Sequence, residues 1–382
     1  MKKITLMTAL GAGNLGDELI AWCEYQFLRE HYPKVLLLVY TYEHSDGLFA
    51  RLSARDHLVH MRQYFPSNIR KHPLRNIVSL WKMLYDISTS DTLIIGGGGL
   101  WYDNESGQNS LTQRLQWLLR IWVAKIARTR ILFWWAGIDV AQKHIKSYRS
   151  IFSGNHSLAV VRDHHSSDLL KTIGIPSVIG TDSVIALSQY FRALLPKEIT
   201  PRKQPLSLGI SVRSWYHDSE TDILKNLVRQ LRSQYPHSTI YGLAYSHRED
   251  NSLVSDTPLL RSLGLDHIIT NQEEILKTLP TLNIMIATRL HAMITARLIN
   301  IPTLCLSYAK KTREIHSALD SQWYGYGMLS DIHTLREEDI SDLLSNFEQW
   351  RLTFLGENKK GKNDAMAHKK IILDWISQKN PS

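Results

Sequence analysis

The chain has 382 residues, 43% hydrophobic and 21% charged, a length and balance suited to two globular domains with substantial cores. No apolar stretch approaches the roughly 20 residues that span a bilayer, which argues against an integral membrane protein. A count of 45 Lys and Arg against 36 Asp and Glu leaves a formal charge of +9. The cations are scattered and no nucleic-acid-binding motif accompanies them, so the surplus points to anionic small substrates or anionic lipid headgroups and not to nucleic acid.

From the amino terminus, Met1 to Leu6 begin basic and apolar, but Gly11, Gly13, Asn14 and Asp17 arrive before a signal-peptide core can form, so a cytoplasmic protein is expected. Cys23 and Cys305 fall in segments that read as buried helix and strand, suggesting neither a disulfide framework nor a zinc site. Short apolar runs at 4–9, 35–40, 92–95, 131–135 and 158–161 alternate with helix-length segments, and a second series follows at 206–212, 239–243, 267–270, 284–287 and 303–306. Such alternation predicts βαβ units on parallel sheets. The expected fold is α/β, with two Rossmann-like domains facing a cleft. Pro196, Pro201 and Pro205 break the pattern over 188–205 and predict a linker between a domain at 1–190 and another at 205–345. A helical segment at 346–382 is expected to pack back across the first domain.

Several segments carry polar or glycine-rich patterns. Gly11, Gly13 and Gly16 follow the first strand with the spacing of a phosphate loop, but Asn14 and Asp17 are unusual there, since a carboxylate repels a pyrophosphate. Helix capping is one reading open to Asp17. The run Gly96 to Gly99 follows the third apolar run of the first series and is read as a loop whose backbone a ligand approaches closely, with a tight strand-to-helix turn without ligand contact as the alternative. Trp101, just beyond, is expected at a cleft rim, stacking on a sugar ring, whereas Trp81, Trp117, Trp122, Trp134 and Trp135 are read as core or interface residues. Arg162, Asp163, Ser166 and Asp182 are given structural and capping roles. Arg213, Arg289 and His291 follow the first and fourth runs of the second series, at the strand ends where open parallel sheets bind ligands.

Taken in order, Gly13-Asn-Leu-Gly-Asp-Glu18, Gly96 to Leu100, Val161-Arg-Asp163, Gly174-Ile-Pro176, Thr181-Asp182, Ser211-Val-Arg213, Arg289-Leu-His-Ala292 and Ser307-Tyr308 with lysines behind resemble the polysaccharide pyruvyl transferase family over residues 4 to about 316. The resemblance implies a fold like that of GT-B glycosyltransferases, and transfer of a pyruvyl group from phosphoenolpyruvate onto a sugar, forming a ketal and releasing phosphate. It implies catalytic roles for His291, Arg289 and Arg213. Donor binding would fall to these three with Tyr308 and Lys310 or Lys311, because the family's Tyr-x-Pro-Lys reads Tyr308-Ala309-Lys310-Lys311 here. The acceptor would meet Asn14, Asp17, Gly97, Gly98 and Trp101 on the first domain. No metal or cofactor is expected beyond phosphoenolpyruvate as co-substrate. The implied partner is a sugar of a capsule, exopolysaccharide or cell-wall polymer, often lipid-linked, with peripheral association at the inner membrane face. The alternatives are a glycosyltransferase using a nucleotide sugar, disfavoured for want of an evident acid beside Arg289 to hold a ribose, and a non-catalytic metabolite-binding relative.

Overall fold

A computed structural model of the chain describes residues 1–42, 47–64, 73–102, 110–153, 156–196, 205–213, 218–248, 255–307, 328–331, 338, 345–346 and 361–378. The chain divides into two compact units. One comprises Met1–Ala12, Asp17–Leu187 and Asp364–Ser382, and the other Gly13–Gly16 and Ser188–Asn363.

In the first unit the strands are β1 (Lys3–Met7), β2 (Leu36–Thr41), β3 (Val59–Gln63), β4 (Thr92–Ile95), β5 (Gly98–Tyr102), β6 (Arg130–Asp139), β7 (Ser157–Val161) and β8 (Ser177–Ile179). They form one sheet in the order β3-β2-β1-β4-β6-β7-β8, with β5 paired to β6 off this path, and every pairing is parallel. A parallel sheet is covered on both faces, so its central strands need apolar residues at successive positions. Leu93, Ile94 and Ile95 of β4 are accordingly all fully buried. The second unit holds β9 (Ser207–Ser211), β10 (Thr239–Leu243), β11 (His267–Ile269), β12 (Ile284–Ala287), β13 (Thr303–Ser307) and β14 (Met328–Asp331). Its order is β11-β10-β9-β12-β13-β14, again parallel throughout. Both units therefore use the doubly wound order in which the chain reverses direction beside the first strand, leaving a crevice at the carboxyl ends there: β1/β4 in one unit and β9/β12 in the other.

The glycine run is not the alternative turn into a helix. After β4 the chain steps sideways over Gly96 and Gly97 and resumes as β5, which pairs with the distal half of β6 at a shifted register, Gly98 with Ala136 and Trp101 with Ile138. Gly98 takes φ +91°, a conformation open to glycine at little cost. This jog carries Trp101 into the core, where it is 1% exposed, stacks on Phe133 at 5.3 Å and meets Tyr148 edge-on at 4.7 Å.

The last helix, Gly361–Ser377, groups with the first unit from Asp364 onward. The final carbonyls of a helix lack intrahelical partners. Here Tyr32 Oη donates to the Leu373 carbonyl at 3.0 Å, Arg130 donates to the carbonyls of Trp375 and Ile376, and Lys2 Nζ donates to that of Ile376. Two cations at the negative end of the helix dipole add a favourable field, and Ile372 and Ile376 are fully buried beneath. No helix among the described residues is long and apolar enough to cross a membrane.

Candidate active site

In the second unit, β9 and β12 are neighbours with Ser211 paired to Ala287. Arg213 and Arg289 each lie two residues beyond that pair, so both emerge at the carboxyl edge, one on each side of the point where the strand order reverses. Thr288 locks this edge: its N–H donates to Ser211 O at 2.9 Å, and its hydroxyl accepts from Arg213 N–H at 2.9 Å. Arg289 is the N-cap residue of helix Leu290–Leu298, which places His291 in the first turn, 9% exposed.

Arg289 is gripped by Asp256. Its Nε donates to both carboxylate oxygens, at 3.2 and 3.0 Å, and Nη2 closes the second arm of the fork. Asp256 is fully buried and also accepts from Ser246 N–H at 2.9 Å. Burial raises its carboxyl above the ordinary carboxylate value, opposed by the adjacent Arg289 and, farther off, Arg213. An acid does therefore stand beside Arg289, contrary to the expectation of none, but its oxygens are committed to the guanidinium and the backbone. With one edge of the fork held, the Nη1 side is the edge available to a ligand.

The glycine loop departs from its expected place. Gly13 to Gly16 group with the second unit, fixed to the end of β10: His247 N–H donates to Gly13 O at 2.9 Å, Asn14 bridges Ser246, and Leu15 N–H donates to Tyr245 O at 2.7 Å. Gly13, at φ +72°, abuts His247 O and Arg248, and a Cβ on Gly16 would overlap the His291 imidazole. Close protein packing thus accounts for both glycines. The cap of the first helix is Asn14, whose Oδ1 accepts from Gly16 N–H at 2.9 Å, and Asp17 is not that cap. Asn14 accordingly stands among second-unit residues and not on the first unit.

Asp17 belongs to the first unit, where a Cβ on Gly98 would stand 2.9 Å from its Oδ1. The Gly97 N–H is not open to a ligand: it donates to Glu24 Oε1 at 2.8 Å, and Ser183 Oγ and Ile20 fill the space a side chain would take. Trp101 is corrected likewise, since an indole buried in the core cannot stack on a sugar at a rim. Glu24 is fully buried and also accepts from the Ser183 hydroxyl at 2.8 Å; burial pushes its carboxyl up to about 8. Asp182 caps Val184 at 3.0 Å and Asp163 caps Ser166 at 2.7 Å, while Arg162 lies 3.7 Å from Asp182 and 3.9 Å from Asp163, in the structural roles given to them. Tyr308, Lys310 and Lys311 lie outside the described residues.

Sequence reasoning missed Glu24 and Asp256. Glu24 carried a signal, since it stands four residues after Ile20 and three before Phe27, on the buried face of its helix. Asp256 carried none, being 33 residues from the arginine it holds. Among the described residues, no group of three or more His, Cys, Asp or Glu is placed to hold a metal.

The two-unit architecture is similar to that of several solved structures, a UDP-GlcNAc 2-epimerase and a glycosyltransferase among them. UDP-GlcNAc 2-epimerase from Neisseria meningitidis, solved with UDP-GlcNAc, aligns at 12% identity with TM-score 0.58, covering 98% of this chain and 99% of its own. The S. aureus MnaA-UDP co-structure aligns at 12% identity with TM-score 0.62, over 100% and 99% of the two chains. A glycosyltransferase from Rickettsia africae aligns at 12% identity with TM-score 0.54, over 98% of each. At these identities the likeness is one of fold, a GT-B-like pair of Rossmann domains. No curated protein sequence matches the chain. The polysaccharide pyruvyl transferase family model matches residues 14–310, from the glycine loop past Arg213, Arg289 and His291. With most of its length so matched, this chain belongs to the polysaccharide pyruvyl transferase family.

Proposed function

We propose that the protein transfers the pyruvyl group of phosphoenolpyruvate to two hydroxyls of a sugar in a polysaccharide or its lipid-linked precursor. The observation that supports this reading most is the placement of Arg213, Arg289 and His291 together at the carboxyl edge of β9 and β12, within a chain of this family. Phosphoenolpyruvate carries a carboxylate and a phosphate, each a planar or trigonal set of oxygens that a guanidinium holds through paired N–H donors. Asp256 fixes the Arg289 fork, so less orientational freedom is lost when a donor binds.

Ketal formation protonates the methylene carbon of phosphoenolpyruvate to a methyl group while a sugar hydroxyl adds to the adjacent carbon. The second hydroxyl then displaces phosphate, closing the ring. Of the two hydroxyl protons, one balances the proton placed on carbon and the other leaves with phosphate. An imidazole can both donate and accept a proton, which suits His291 to protonate the carbon or accept a hydroxyl proton. The arginines offset charge on the departing phosphate. Arg213→Gln keeps much of the side chain's reach but removes its charge, and should weaken phosphoenolpyruvate binding, measured by calorimetric titration, by about ten-fold or more. Unchanged affinity in that variant would count against the arginine pair as the donor site.

A further inference from the structure

Helix Pro73–Ser88 of the first unit buries Met83 and Ile87 against the sheet, yet its opposite side carries Leu74, Ile77, Val78, Trp81 and Tyr85, which are 51–78% exposed. Their spacing of i, i+3, i+4, i+7 and i+11 sets them on one stripe. Helix Ser110–Ile126 repeats that spacing with Leu115, Leu118, Leu119, Trp122 and Ile126, of which Leu115, Trp122 and Ile126 are 51–63% exposed. The two helices pack side by side over one core, to which Met83, Ile87, Trp117 and Ile121 all contribute. Two tryptophan-centred apolar stripes therefore adjoin on the outward face of this layer. Of the 11 large apolar side chains exposed among the described residues, eight belong to these helices, a concentration that scattered surface residues do not produce.

Charge decides what covers the face. The two helices carry Arg75, Lys82, Arg114, Arg120 and Lys125 against one acid, Asp86; Arg120 is 4% exposed over the Tyr64 and Trp117 rings and adds nothing to the outer face. That acid is 4% exposed and is occupied by the Tyr40 hydroxyl at 3.0 Å, Lys3 at 3.4 Å and Arg62 at 3.3 Å. Lys82 and, just past the second helix, Arg128 are exposed. Apolar stripes with Trp and Tyr, and with no exposed carboxylate on their own helices, have the make-up of helices lying in a bilayer interface, where indoles sit at headgroup depth and cations meet anionic lipid.

We infer that helices Pro73–Ser88 and Ser110–Ile126 form a docking surface for an anionic phospholipid bilayer, seating their two stripes among the headgroups. This inference stands apart from the pyruvyl-transfer reading, because attachment is measured without turnover. The test is sedimentation of the purified full chain with vesicles of phosphatidylcholine alone and of phosphatidylcholine mixed with phosphatidylglycerol, at low and high salt. The expected result is binding to the mixed vesicles that salt weakens, reduced about ten-fold or more by Trp81→Ser with Trp122→Ser at an unchanged melting temperature. Lys82→Glu, at an exposed position, should weaken binding to the mixed vesicles in the same direction. No sedimentation with either vesicle, or equal sedimentation of wild type and the serine variant, overturns the inference. So does a wild-type dimer that the serine substitutions convert to a monomer, which would make a second copy the occupant.

Discussion

His291 and Gly16 form the tightest packing relation at the candidate site, since a methyl group on residue 16 would occupy the imidazole's position. Gly16→Ala should therefore displace the ring without removing any titratable group. A displacement of about 1 Å at a reacting group costs on the order of 100-fold in rate, and that is the expected loss in turnover, alongside a modest fall in melting temperature. Turnover at the wild-type level in Gly16→Ala would show that the imidazole's position is not critical. The positions of Arg213, Arg289 and His291 at strand ends were legible in the sequence because each follows an apolar run that ends at a strand's carboxyl edge. Asp256 was not, since a carboxylate after residues without a strand-like pattern gives no sign of the arginine it will hold. Trp101 was misplaced because its neighbours in sequence are glycines, while its neighbours in space, Phe133 and Tyr148, arrive from β6 and a later helix.

Among the elements, the first helix and the β4–β5 jog are tied by Glu24, which receives the Gly97 N–H and the Ser183 hydroxyl in a site closed to water. Its carboxyl is raised from an ordinary 4.5 to about 8, mainly by burial and further by Asp182. The folded protein thus binds a proton that the unfolded chain releases between these two values, so this group's contribution to stability falls as pH rises from about 4.5 to about 8. Glu24→Gln, neutral at every pH, should flatten the decline, by on the order of 4 kcal/mol across that window, in urea unfolding at pH 5 and pH 8. Parallel pH profiles for variant and wild type would contradict a neutral buried Glu24. The last helix is tied by its carbonyls to Lys2, Tyr32 and Arg130. Truncation before Gly361 uncovers the buried partners of Ile372 and Ile376 and should cost the first unit about 3–6 kcal/mol. A melting profile unchanged by truncation would show the helix to be dispensable. The amphipathic character of this segment was legible. The glycine jog was not, because a run of glycines fits a turn into either a helix or a strand, and only the pairing of β5 with β6 decides between them.

At the scale of the whole chain, alternating apolar runs revealed ten of the strands and with them two doubly wound sheets. Both sheets share the order that places polar chemistry at the carboxyl ends beside the first strand. The strands that escaped notice, β3, β5, β8 and β14, have short or interrupted apolar character, as in Val59-His-Met-Arg-Gln63. The partition of Gly13 to Gly16 into the second unit was not visible either, because backbone hydrogen bonds to Tyr245 and His247 leave no trace in side-chain identity. The central claim, pyruvyl transfer, is tested most directly by phosphate release from phosphoenolpyruvate with a panel of free, nucleotide-linked and lipid-linked sugars, comparing the wild-type chain with His291→Ala. Release that requires a sugar and falls by about 100-fold or more in His291→Ala is the predicted result. Turnover of a nucleotide sugar with no release from phosphoenolpyruvate, or release undiminished in the histidine variant, would contradict it.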